Sequence, residues 1–152
     1  MKLHFGVFDV PYRLAPSRRQ RKARAGTVTT SDVAGFLENK YGLMEAFFES
    51  QKDGIVGDLE EGLQGVLESF LMGAPPQLDA FGSGVAKIED RFKQFLSTQK
   101  AEQVGIPGVP TEAALAGVNP RLKRPHAKGN PRRPSFIATG LFQSSFKAWV
   151  TR

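Results

Sequence analysis

Residues 55–71 read IVGDLEEGLQGVLESFL, and the spacing within this stretch decides the fold class. Ile55, Leu59, Leu63, Val66, Leu67, Phe70 and Leu71 recur at intervals of three and four, while Asp58, Glu60, Glu61, Gln64 and Glu68 fall mostly between them. An α-helix brings residues at that spacing onto one face, so the segment predicts an amphipathic helix with a single apolar stripe. Met72-Gly73-Ala74-Pro75-Pro76 ends it, because glycine takes up the left-handed conformation of a helix end and proline cannot continue the ladder.

The same periodicity extends in both directions. Toward the N-terminus, Thr29-Thr30-Ser31-Asp32 supplies side-chain oxygens that can cap exposed backbone N–H groups. Val33, Phe36, Leu37, Tyr41, Met44, Phe47 and Phe48 then draw a stripe. Gly42 within it predicts a kink or boundary, at a cost of about 1 kcal/mol relative to alanine, and Asp53-Gly54 predicts a second break. Toward the C-terminus, Val85, Ile88, Phe92, Phe95 and Leu96 predict a helix over residues 83–100.

The two ends of the chain carry the shorter period of strands. Leu3, Phe5 and Val7 alternate near the start, in a segment closed by Pro11, and Phe146, Ala148 and Val150 alternate with Lys147, Trp149 and Thr151 at the end. The expected fold is therefore α+β: two or three amphipathic helices, near residues 30–73 and 83–100, packed on a small antiparallel sheet formed by the chain ends, with extended basic loops. Between the last long helix and the final strand, Pro107, Pro110, Pro120, Pro125, Pro131 and Pro134 alternate with Gly105, Gly108, Gly117 and Gly129. At most a short helix fits there, over residues 111–116. A connection of this length is usually functional or ordered by a partner.

With 152 residues, 40% of them hydrophobic and 12 of them phenylalanine, the chain is expected to form a single domain, 1–152, around one core. The absence of cysteine excludes disulfide scaffolds, thiolate zinc sites and thiol nucleophiles. No apolar run approaches the roughly 20 residues of a membrane-spanning helix, and the first apolar stretch breaks at Asp9 and Pro11, too early for a signal peptide. These features predict a protein that stays inside the cell or enters a particle assembled there.

The net charge of +6 is unevenly distributed. Residues 1–26, an N-terminal strand and basic arm, hold 7 bases and 1 acid, a balance of +6; residues 27–103, the helical body, hold 6 bases and 13 acids, or −7; residues 104–152, the Pro/Gly-rich arm and C-terminal strand, hold 8 bases and 1 acid, or +7. Blocks of opposite sign mark interaction surfaces. The candidate contact groups are Arg18, Arg19, Arg21, Arg24, Arg121, Lys123, Arg124, Arg132 and Arg133. They can neutralise phosphates through counterion release, remain solvated loops, or lie on the acidic helices of the next subunit, since complementary patches favour docking. Trp149 is a candidate aromatic anchor, set against the alternative that it simply fills the core.

Catalytic patterns are not found. His4 and His126 lie in opposite arms without metal-ligand spacing. Glu60-Glu61 and Glu89-Asp90 are adjacent on helices and so do not face each other. The glycine-containing stretches match no phosphate-binding loop. The expectation is a protein with no catalytic residue, metal, cofactor or small-molecule substrate, and no membrane association.

The segment Arg133-Pro134-Ser135-Phe136-Ile137-Ala138-Thr139-Gly140-Leu141-Phe142-Gln143-Ser144-Ser145-Phe146 resembles a pattern of the head-tail joining proteins of tailed bacteriophages, the neck and tail-completion family. Those proteins carry a proline, a spacer, Thr-Gly, an apolar residue, two variable positions and a serine followed by an apolar residue, just before a strand. Pro134, Thr139, Gly140, Leu141, Ser145 and Phe146 match that order, offset by one position according to which serine is aligned. The resemblance implies a small α+β virion protein, assembled in the host cytoplasm, that forms a homo-oligomeric ring. Such a ring contacts connector or adaptor proteins on one side and tail components on the other. The long Pro/Gly-rich basic insertion and the paired long helices depart from the common pattern. The alternative reading is a packaging accessory or channel lining that makes non-specific DNA contacts through the basic groups.

Overall fold

A computed structural model describes residues 2–12, 28–75, 79–119 and 122–151. The fold is α+β. The elements run β1 (Lys2–Val7), α1 (Thr30–Tyr41), α2 (Leu43–Leu71), α3 (Gly82–Ser97), α4 (Lys100–Gln103), α5 (Glu112–Leu115), α6 (Leu141–Ser145) and β2 (Phe146–Thr151). As the alternation at the chain ends predicts, β1 and β2 pair antiparallel, with Lys2 opposite Thr151 and Val7 opposite Phe146. The N-terminal strand stops at Val7, short of Pro11.

Thr29 caps α1 through a reciprocal box: its hydroxyl accepts from the Asp32 N–H, and its own N–H donates to the Asp32 carboxylate at 2.9 Å. Both donors would otherwise lack an intrahelical partner. The helix ends where Gly42 turns left-handed, at φ 60°. Glu38 Oε2 then accepts from the Met44 N–H at 2.7 Å and so starts α2 at once. Asp53-Gly54, by contrast, breaks nothing. Instead Gly54 leaves room for the Arg91 guanidinium, whose Nη1 would lie 2.6 Å from a Cβ placed there and would have to move aside.

The helices α2 and α3 pack antiparallel. Gly84 rests against Asp58, Arg91 donates to Asp58 Oδ2 at 2.8 Å and to the Gly54 carbonyl at 3.3 Å, and Phe95 meets Phe47 edge-on at 5.4 Å. Near that last contact lies the core, a phenylalanine cluster to which most elements contribute. Phe47 of α2 meets Phe92 edge-on at 5.0 Å, and Phe92 stacks on Phe146 of β2 at 3.9 Å. Phe142 of α6 and Phe5 of β1 close the sides. A two-stranded ribbon has little stability alone. This one is held by its apolar face, Leu3, Phe5, Val7, Phe146 and Ala148, against the helices. Lys147 adds a 2.7 Å ion pair with Glu89 of α3.

Two expectations about the stripes are corrected. Phe36 is exposed on α1, where its ring lies under Lys40. The stripe of residues 55–71 is buried only in its first half: Ile55 is in the core, whereas Leu63, Leu67, Phe70 and Leu71 are exposed. The reason is length. At 1.5 Å per residue α2 is about 43 Å long, and among the described residues its C-terminal turns run past the core beside the start of α3.

Candidate assembly surface

The segment that carries the family-like pattern folds as one unit. Gly140 adopts φ 78°, a conformation that side chains disfavour, and the Leu141 N–H turns back to the Thr139 hydroxyl at 3.3 Å. This turn opens α6, and β2 begins directly at Phe146. Ser145 is buried, and its hydroxyl donates to the Phe142 carbonyl at 2.8 Å. Its own carbonyl accepts from the Phe8 N–H at 2.8 Å, which extends the strand pairing by one step. Gln143 fastens α6 to α3 through the Lys93 carbonyl. The order turn, helical turn, buried serine, strand thus has a local physical basis at every position.

The Pro/Gly-rich stretch is also tied down, by residues the charge count treated as an outward-facing arm. Glu102 of α4 accepts from the Ser135 N–H at 3.1 Å and from the Ser135 hydroxyl at 2.8 Å, and it pairs with Arg132. The Ser135 oxygen in turn accepts from the Thr111 N–H at 3.2 Å. Arg133 points inward. Its guanidinium donates to the carbonyls of Val118, Pro134 and Ile137, and burial lowers its pKa. Of these two contact candidates, Arg133 is engaged within its own chain, whereas Arg132 pairs with Glu102 and stays exposed at 46%. Pro134 lies between them and the turn, half-buried. Phe136, in a left-handed conformation at φ 68°, sets its ring edge-on to Tyr41 at 5.2 Å.

Lys123 and Arg124 do face solvent, with Lys128. They sit on a loop closed by Asn130, whose side-chain amide donates to the carbonyls of Arg124 and Pro125 at 3.0 Å. Earlier in the same Pro/Gly-rich stretch, a groove of about 520 Å³ runs between Tyr41, Pro107, Pro110 and Ala113. Arg18, Arg19, Arg21, Arg24 and Arg121, together with the basic segment expected over residues 13–26, lie outside the described residues. On either side of that segment, the Tyr12 N–H donates to the Val28 carbonyl at 2.9 Å.

No protein-family model, curated protein or solved structure matches the chain.

Trp149 is not a core residue. It stands on the outer face of the ribbon, 45% exposed, stacked on His4 across the strands at 5.4 Å and lying over Gly6. Among the described residues, no cluster of potential metal ligands is present and no helix is long and apolar enough to cross a membrane.

An exposed apolar surface lies where the periodicity of residues 55–71 predicts a buried stripe. At the tip of the α2–α3 hairpin, Phe70 is 54% exposed, Leu71 82% and Met72 89%. Charge offered the signal that periodicity did not. From Asp53 to Ala86 the chain carries Asp53, Asp58, Glu60, Glu61, Glu68 and Asp79 without a single lysine or arginine. Glu102 was missed because a lone glutamate in a short helix carries no pattern; its role comes from a residue 33 positions away.

Proposed function

We propose that this protein is a head-tail joining component of a tailed bacteriophage, a neck or tail-completion protein that assembles as a ring between the connector and the tail. The observation that supports the reading is the unit from Pro134 to Phe146, in which the Thr139-Gly140 turn leads through α6 and the buried Ser145 directly into β2. The separation of charge into an acidic helical body and a basic C-terminal region supports it, because a ring subunit must present complementary surfaces to its neighbours. In this role the protein supplies contacts and no chemistry. Quantitative mass spectrometry and immunogold labelling of purified particles test the reading: the chain should be present at a fixed copy number and labelled at the joint. Absence from the particles would remove it.

The second reading, contact with DNA, is favoured by one feature, the solvent-facing Lys123, Arg124 and Lys128 on a loop with no acid nearby in sequence. Duplex DNA titrated at several salt concentrations separates the two, since binding through phosphates weakens steeply as salt rises. A monomer that binds DNA in this way would favour the second reading over the first.

A further inference from the structure

Among the described residues, the last turns of α2 at the tip of the α2–α3 hairpin present an exposed apolar surface with Glu68 beside it. Leu67, Phe70, Leu71 and Met72 face solvent there, and a contiguous surface of this kind on a folded protein marks an interaction site. The surrounding charge selects the occupant. Glu68 sits within the turns that carry the patch, Glu60 and Glu61 lie about two turns further back, and among the described residues Glu61 alone of the three has a basic partner, Lys87. Pairing tip to tip would bring these carboxylates against their own copies, a juxtaposition that costs binding energy. A basic surface with an apolar recess satisfies both features.

The chain itself has such a surface. The loop from Leu122 to Arg132 carries Lys123, Arg124 and Lys128, and no acid follows Glu112. The Pro/Gly-rich stretch that contains this loop also lines a groove with Tyr41, through Pro107, Pro110 and Ala113, with Lys40 and Glu112 among its walls. This loop is fastened at the opposite end of the helical pair, through Glu102–Arg132 and Tyr41–Phe136. Because α2 spans about 43 Å, tip and loop of one molecule cannot meet, and the complementary surface must come from another copy.

We propose that the apolar, acidic tip of the α2–α3 hairpin in one subunit docks on the basic loop Leu122–Arg132 of the next, with Leu71 or Met72 entering the Tyr41–Pro110 groove. The contact is heterologous, so it propagates head to tail and closes as a ring when the rotation per subunit permits. The inference rests on the ring-forming reading above and specifies which surfaces meet.

A pair of complementary variants tests it. Leu71→Asp with Met72→Asp removes the tip. Lys123→Glu with Arg124→Glu removes the loop. Both sites are exposed, and circular dichroism confirms the fold of each variant. The wild-type chain should sediment as an oligomer that weakens with salt, and each variant alone as a monomer. Mixed in equal amounts, the two should form a discrete dimer, because each retains the end the other lacks. A monomeric wild type overturns the proposal. So does assembly of the loop variant alone, which would mean tip-to-tip pairing. An oligomer that survives the tip substitutions also sinks this contact while leaving the ring reading intact. The ring reading fails by a different result, absence of the chain from purified particles.

Discussion

Gly84 rests on the backbone of Asp58: a Cβ placed on Gly84 would lie 2.6 Å from the Asp58 carbonyl oxygen and 3.0 Å from Leu59 Cα. The crossing is reciprocal, since a Cβ on Gly62 would lie 2.9 Å from the Gly84 nitrogen. The two helices approach this closely because both lack a side chain at the contact. The close approach also places Arg91 within 2.8 Å of Asp58.

Gly84→Ala should therefore destabilise the protein even though alanine is the better helix former. The backbone clash cannot be relieved by rotating a side chain, and overpacking of this kind costs about 1–3 kcal/mol, more than the roughly 1 kcal/mol gained in helix propensity. Gly57→Ala, on the same helix as Gly62 but with nothing within 4 Å of its Cβ, should stabilise by up to about 1 kcal/mol. Urea unfolding of the two variants should give shifts of opposite sign. Equal shifts would mean that the crossing does not constrain the helices.

Thr30 joins the N-terminal segment to α1. Its fully buried hydroxyl donates to the Phe8 carbonyl and accepts from the Val10 N–H at 2.9 Å. Thr30→Val keeps the volume and leaves both backbone groups unpaired, a loss of about 1–3 kcal/mol. Hydrogen exchange should report it locally, with faster exchange at Val10 than in α3.

Periodicity made most of this fold legible. The α3 stripe of Ile88, Phe92, Phe95 and Leu96 is buried as its spacing requires, and Gly42 divides two helices as its backbone freedom suggests. What periodicity could not supply is length relative to the core. Leu59 and Phe70 lie on one stripe, yet only the first is near enough to the phenylalanine cluster to pack against it. Charge counting failed for a related reason. It weighted Arg124 and Arg133 alike, although one faces solvent and the other turns toward three carbonyls. The candidate site was legible as a region of charge, and the fold decided which charges remain outside.

Tyr12 makes one contribution to stability that depends on alkaline pH. Burial raises its pKa above the ordinary 10.0, against a smaller lowering by a backbone hydrogen bond with Phe142. The unfolded chain thus releases the phenolic proton first. The stability that Tyr12 contributes is complete below the unfolded pKa of about 10, falls as pH rises from there, and is lost once pH passes the higher folded value. Unfolding free energies measured through this window should decline less steeply in Tyr12→Phe than in the wild type. Parallel curves would show that the hydroxyl is not buried.

Arg133 and Lys123 separate structural from surface charge. Arg133→Met removes the donor shared by the Val118, Pro134 and Ile137 carbonyls and should cost about 1–3 kcal/mol. Arg133→Lys should recover little, because a single ammonium group cannot reproduce the planar spread of guanidinium donors. Lys123→Gln with Arg124→Gln removes two exposed charges and should change stability by no more than about 0.5 kcal/mol per site. Self-association should show the reverse order. The Gln pair weakens it and flattens its salt dependence, while Arg133→Met, measured well below its melting temperature, leaves it near the wild-type value. If the Arg133 variant lost association while still folded, its guanidinium would have to reach a neighbouring subunit, and the inward assignment would be wrong.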